Sequence, residues 1–234
     1  TEIGRLLLSV DTNTTTIILV GDNGTPGQVV QAPFGPTGAT GHSKGDLYEG
    51  GIHVPFVVAG PDVTLPAGST SDRFVHVVDL YSTILEIAGV PVPASAADAT
   101  SILPILQGTD TANRCIVTET FNNAALPPGR SIRMESDTAF PGSDPDYKLI
   151  IFADPNIDTD TPTFEFYNIA LDQNEASPLT LGALTATAQA AFDALVAKDA
   201  FLGGGYSDFP AIAGDVVYLE LPNPGVPPIP GNIN

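Results

Sequence analysis

Tryptophan is absent from this 234-residue chain, cysteine and methionine occur once each, and histidine occurs 3 times. One cysteine excludes an intrachain disulfide, although it says little about compartment. Cations are equally scarce: Lys and Arg total 8 against 27 Asp and Glu, a formal net charge of −19. That surface disfavours nucleic acid and anionic membranes, both of which are recognised by cationic patches. It also repels a highly sulfated polyanion unless cations line the pocket, and it fits a saline or calcium-containing medium. No apolar run approaches the length of a membrane-spanning helix, and there is no internal repeat. Hydrophobic residues nevertheless make up 43% of the chain, which rules out wholesale disorder and leaves material for a sizeable core.

The most informative stretch is Thr14-Thr15-Thr16-Ile17-Ile18-Leu19-Val20-Gly21-Asp22-Asn23-Gly24. Its apolar run predicts a strand covered on both faces in a parallel sheet. Open α/β sheets place their chemistry just beyond the carboxyl ends of such strands. There Asp22 and Asn23 offer hard oxygen ligands, suited to Ca²⁺ or Mg²⁺ more than to a soft-ligand metal. Asp-Asn-Gly is also ordinary turn chemistry, and a lysine such as Lys44 is most often a solvated surface charge. On these residues alone both readings stand.

The rest of the chain divides coarsely. Residues 1–10 read as an amphipathic helix end with Ile3, Leu6, Leu7 and Val10 on one side. A Gly/Pro-rich loop runs from Gly24 to Lys44, and its length favours an active-site rim over a linker. Residues 52–59 read as a second buried strand, stopped by Gly60-Pro61, and Asp79–Ala88 as a helix stopped by Gly89. From about Cys115 the pattern changes to strands, at Ile116–Phe121, Arg130–Glu135, Lys148–Phe152 and Thr163–Ala170, which predicts a small antiparallel sheet. A helix over Ala186–Ala200 follows, then a tail in which Gly203-Gly204-Gly205 and the Pro222–Pro230 segment show no packing period. Asn13-Thr14-Thr15 and Asn23-Gly24-Thr25 fit the glycosylation acceptor pattern; the second coincides with the candidate site and reads as chance.

The order of motifs resembles the sulfatase family of the alkaline-phosphatase-like superfamily. The resemblance rests on Gly21-Asp22-Asn23-Gly24, then Lys44-Gly45-Asp46-Leu47-Tyr48-Glu49-Gly50-Gly51-Ile52-His53-Val54-Pro55, then Val75-His76 through Val90. Tyr147-Lys148-Leu149-Ile150, Phe164-Glu165-Phe166-Tyr167-Asn168-Ile169 and Asp172-Gln173-Asn174-Glu175 resemble the closing strands. The match ends near Leu179.

The resemblance implies an α/β fold: part of an alkaline-phosphatase-like sheet with flanking helices over residues 1–114, then a small antiparallel sheet plus helix over 115–202, and a tail over 203–234. It puts Asp22 and Asn23 on positions that bind catalytic calcium, and Lys44 on the lysine that contacts the sulfate ester. Glu49 and the Gly50-Gly51 pair are expected to be structural, and His42, without a matching family position, reads as a surface-loop histidine. Sulfatases take their formylglycine nucleophile from a Cys/Ser-x-Pro/Ala-x-Arg motif, and Arg114-Cys115-Ile116-Val117-Thr118-Glu119 is not that motif but strand context. The implied activity is sulfuric ester hydrolysis on a small molecule or carbohydrate, with the remaining calcium ligands and the nucleophile supplied by an amino-terminal half of the same fold. A periplasmic or extracellular location goes with the resemblance alone. A phosphatase or phosphodiesterase of the same superfamily is the alternative, although those enzymes generally need a histidine where Asn23 stands. A non-catalytic acidic domain retaining the fold is another. The expected geometry is Asp22 and Asn23 at the carboxyl end of a parallel strand, with Lys44 opening into the same cleft.

Overall fold

A computed structural model describes residues 2–27, 42–111, 113–120, 129–135, 146–152 and 162–202. The loop expected between Gly24 and Lys44 and the tail after Leu202 fall largely or wholly outside them. The elements are α1 (Glu2–Leu7), β1 (Ile17–Val20), α2 (Glu49–Ile52), β2 (Phe56–Ala59), α3 (Asp79–Ile87) and α4 (Leu103–Leu106). They continue with β3 (Cys115–Thr120), β4 (Gly129–Met134), β5 (Tyr147–Phe152), β6 (Thr163–Asn168) and α5 (Ala186–Leu202).

β3 to β6 form a four-stranded antiparallel sheet in sequence order. Alternation along β5 sends its side chains to two different layers. Tyr147, Leu149 and Ile151 join Ile132 and Phe166 under α5, which contributes Ala188, Ala191 and Leu195. Those three lie three and four residues apart, the spacing that puts them on one helix face. On the other side Ile150 joins Tyr167, Ile169 and Leu47 in a second cluster. The sheet is therefore covered on both faces: by α5 on one, and by the Leu47–Tyr48 stretch on the other. Lys148 shares the Ile150 side of the strand and is fully buried.

β1 and β2 pair with each other, and the pairing is antiparallel, Ile17 opposite Ala59 and Val20 opposite Phe56. This corrects the expected parallel strand: all strand pairs among the described residues are antiparallel. The expected cover on both faces is corrected too, since the cross-strand pair Leu19 and Val57 is 44% and 55% exposed. An unbroken apolar run cannot report which face is covered, because β-branched residues suit a one-sided strand equally well. The second strand is shorter than expected. Glu49–Ile52 forms a helical turn, and β2 starts only at Phe56.

α3 spans the expected segment and ends as expected, with Gly89 at φ +67°. Its first residue is a joint. The Asp79 carboxylate accepts the backbone N–H groups of His76 at 3.0 Å and Thr100 at 2.9 Å, and Arg114 stands 3.6 Å away. Arg114 and Arg73 both reach Asp110, so this buried corner is held by charge-assisted bonds. Cys115 packs against the core under α5, and burial pushes its thiol pKa up, the behaviour of a small hydrophobe.

Core position and exposed position give opposite stability forecasts. Leu149→Ala should lower unfolding free energy by about 2–5 kcal/mol, whereas Ile84→Ala, at a position 55% exposed, should stay within about 0.5 kcal/mol. Urea unfolding midpoints check this; equal shifts in the two variants would contradict the assigned core.

Candidate active site

Asp22 and Asn23 follow β1 directly and, with Gly24, Thr25, Pro26, His53, Val54 and Pro55, line a hollow of ≈ 320 Å³. The loop is pinned at both ends. Gly21 N–H donates to the Pro55 carbonyl at 2.9 Å, extending the β1–β2 ladder by one step. Gly24 N–H donates to the Gly51 carbonyl at 2.9 Å, and Thr25 N–H to the Gly50 carbonyl at 3.3 Å. This approach is too close for a side chain: a Cβ on Gly24 would stand 2.2 Å from the Gly50 oxygen. Gly51 is as constrained, its Cβ position lying 2.5 Å from the carbonyl oxygens of Ser43 and Asp46.

Lys44 enters through its backbone, its N–H donating to the Thr25 carbonyl at 2.8 Å. Its side chain is exposed, and it is not among the residues lining the hollow. The residues flanking Asp22 and Asn23 and the backbone of Lys44 thus share one network, with Asp22 and Asn23 lining the hollow and Lys44 outside that lining. The Lys44–Tyr48 turn is fixed by Asp46, whose carboxylate accepts the N–H groups of Ser43 and Tyr48. His42 is more firmly placed than a surface-loop histidine. Its ring stacks on Tyr48 with centroids 3.8 Å apart, and Nδ1 meets the Asn174 carbonyl at 2.8 Å. A carbonyl only accepts, so Nδ1 bears the proton.

Beneath this surface lies a charge cluster. Glu49 is 4% exposed and splits its carboxylate, Oε1 to Lys148 Nζ at 3.0 Å and Oε2 to Arg133 Nη1 at 2.8 Å. Arg133 and Lys148 are direct cross-strand partners on β4 and β5. Like charges in that register repel, and Glu49 lies between them. Glu175 completes the group: Oε1 is 2.7 Å from Lys148 Nζ, and Oε2 accepts the Glu49 N–H at 2.6 Å. Asp146 pairs with the far side of Arg133. Burial alone would raise the Glu49 pKa, but the His53 ring and the Lys148 and Arg133 charges outweigh it and hold the carboxyl far below the glutamate range. Glu175 goes the other way: burial pushes it up, and Lys148 only partly compensates. Its backbone is strained as well. Glu175 and His42 are the two non-glycine residues with positive φ among the described residues, at +53° and +62°. Such conformations cost on the order of 1–3 kcal/mol and cluster at functional sites.

Spacing in the sequence gives no hint of this cluster. Glu49 is correctly expected to be structural, but the Gly-Gly pair alone does not account for it. The usable signal was Lys148, a lone charge inside the otherwise apolar Tyr147–Phe152 run. A strand covered on both faces must pair such a charge.

Asp22 and Asn23 suit a hard cation in kind, a carboxylate and an amide oxygen at an open strand end. They fall short in number, because calcium takes about six to eight oxygens. No cluster of three or more His, Cys, Asp or Glu able to hold a metal occurs among the described residues.

Residues 2–90 match the family model described as Sulfatase. The ulvan-active sulfatase of Formosa agariphila is 47% identical over 60 residues, which is 26% of this chain and 12% of that protein. Human N-acetylglucosamine-6-sulfatase is 36% identical over 104 residues, 44% of this chain and 17% of that protein. The chain thus spans under a fifth of the length of these relatives. Among solved structures, one bound to its substrate D-glucosamine-2-N,6-O-disulfate superimposes with a TM-score of 0.67 at 23% identity. That match covers 89% of this chain and 40% of the other. A 2-O GAG sulfatase gives a TM-score of 0.54 at 20% identity, covering 80% and 35%. At these identities the structural likeness establishes the fold, which is that of sulfatases.

The cluster predicts how stability responds to acid. A carboxyl held below its unfolded value stabilises the fold fully above that value, 4.5 for glutamate, and loses the contribution as pH falls towards the folded value. Glu175, raised by burial, has the opposite slope, losing stability as pH rises through its folded value. Glu49→Gln should therefore flatten the decline in unfolding free energy below pH 4.5 relative to the parent chain. Urea unfolding measured across that range tests it, and an unchanged slope would contradict the assigned pairing.

Proposed function

We propose, for a chain that belongs to the sulfatase family, that it contributes cation-binding and sulfate-binding residues to a hydrolase of sulfuric esters. In this reading Asp22 and Asn23 are calcium ligands and Lys44 contacts the sulfate group. The observation supporting it is the backbone network that joins the strand-end loop to the lysine turn, Gly24 to Gly51 at 2.9 Å and Lys44 to Thr25 at 2.8 Å. The loop that carries Asp22 and Asn23 and the turn that carries Lys44, distant in sequence, are thereby hydrogen-bonded to each other at Thr25.

Hydrolysis breaks the ester S–O bond, adds the elements of water, and releases an alcohol and sulfate. Negative charge on the sulfuryl oxygens and the leaving oxygen must be stabilised as that bond opens. Calcium, when bound, supplies Lewis-acid stabilisation of those oxygens. Asp22 and Asn23 would hold it, their positions set by the pinned loop. Lys44 supplies an ammonium that orients the ester and offsets its charge. Such a cation also answers the −19 net charge, which otherwise repels an anionic substrate. Cys115 is excluded as the source of a formylglycine, since it stands in β3 against the core and outside the required motif. The nucleophile and the remaining calcium ligands belong, in this proposal, to an amino-terminal half of the same fold. Sulfated carbohydrates are the substrate class suggested by relatives that act on ulvan and N-acetylglucosamine-6-sulfate by name.

Two measurements follow. This chain by itself should not turn over an aryl sulfate with or without calcium; calcium-dependent turnover would overturn the assigned roles. Joined to a half bearing formylglycine, Lys44→Ala should cost about a hundredfold to a thousandfold in rate with the melting temperature unchanged. Asp22→Ala should additionally weaken calcium binding in a titration. Near-parental turnover and affinity in both variants would leave a turn aspartate and a surface lysine.

A further inference from the structure

Asp22 and Asn23 hang between two anchors: Gly21 on Pro55, and Gly24 with Thr25 on the Gly51 and Gly50 carbonyls. The second anchor belongs to α2, a helix of only four residues. A helix so short has no stability of its own, so its place depends on what grips it. The grip is on its first residue. Glu49 is held at its N–H by Glu175 and at both carboxylate oxygens, by Lys148 and by Arg133. Lys148 binds both glutamates, is fully buried in β5, and lies on the sheet face opposite α5. One path from the second sheet to the strand-end loop therefore runs through the Glu49 side chain and two glycine carbonyls, beside the packing of Leu47 and Tyr48 on the same sheet face. Close approach of Gly24 to the Gly50 and Gly51 carbonyls packs the loop directly on the turn.

We propose that Lys148 is a positioning residue for the strand-end site, acting through Glu49 on the Gly50 and Gly51 carbonyls that anchor the Asp22–Thr25 loop. The proposal rests on the calcium reading for what the loop does; the mechanical tie stands whatever the loop binds. Lys148 touches no substrate, and Arg133 supports it from the neighbouring strand. A core lysine with a merely structural role would affect global stability without singling out the loop.

The test uses the 234-residue chain, its Lys148→Met and Lys148→Arg variants, and Arg133→Met. Native-state amide exchange is read at Gly24 and Thr25, with the β3 amides as internal reference. Lys148→Met should speed exchange at Gly24 and Thr25 by about tenfold or more, with Arg restoring part of the protection, while β3 keeps its parental rates. Terbium, used as the calcium probe, should bind the Met variant about tenfold to a hundredfold more weakly, the effect usual for residues that orient ligands. Parental exchange at Gly24 and Thr25 in a folded Lys148→Met chain would overturn the proposal. Should that variant not fold, Arg133→Met decides by the same two amides: faster exchange supports the tie, and parental exchange overturns it. A parental chain that binds no terbium leaves the calcium reading to a protein carrying the remaining ligands, since two are only part of the shell, and the amide comparison then decides the positioning role by itself.

Discussion

The second anchor of the strand-end loop adjoins one buried arrangement, a glutamate set between two cations that would otherwise repel each other. Arg133 and Lys148 face each other across β4 and β5, and Glu49 meets both, at 2.8 and 3.0 Å. A buried ion pair is weak support for stability, because desolvation offsets much of the attraction. Its value here is geometric. The carboxylate belongs to a helix too short to hold itself, and that helix presents the carbonyls that receive Gly24 and Thr25. The antiparallel sheet thus serves the loop after β1 although it contributes nothing to the hollow.

Much of the fold was legible in the sequence because its signals are local. The β3–β6 strands stand within a residue or two of the expected positions, and α3 and α5 span their expected segments. Gly89 ends α3 with the positive φ that glycine tolerates. The pairing partner of β1 was not legible. Ile17–Val20 reads as buried on both faces, yet the strand pairs antiparallel with β2 and leaves Leu19 and Val57 exposed together. Burial is set by what lies over a strand, and an apolar run does not encode that. Gly50 and Gly51 likewise suggested a tight backbone leading into a strand, where the chain instead makes a helical turn.

The strand-end position of Asp22 and Asn23 was legible in the sequence, and the geometry around it was not. Asp22 and Asn23 stand at the end of a strand as their position suggests and line the hollow there. Lys44 joins them through its backbone, with its side chain outside the lining. His42 gave no signal of its stacking on Tyr48 or of its bond to Asn174. The bond to Asn174 joins residues 132 positions apart, and no local pattern announces it. Lys148 is the exception, because a charge in a buried strand demands a partner even when the partner cannot be named.

The central claim is that the loop fixed by Glu49 holds a hard cation on Asp22 and Asn23. Anomalous scattering from crystals grown with terbium tests this most directly, on a polypeptide that includes the family's remaining ligands. The account predicts a peak about 2.3–2.6 Å from an Asp22 carboxylate oxygen and the Asn23 amide oxygen. A terbium ion bound elsewhere, with Asp22 and Asn23 facing solvent, would contradict it.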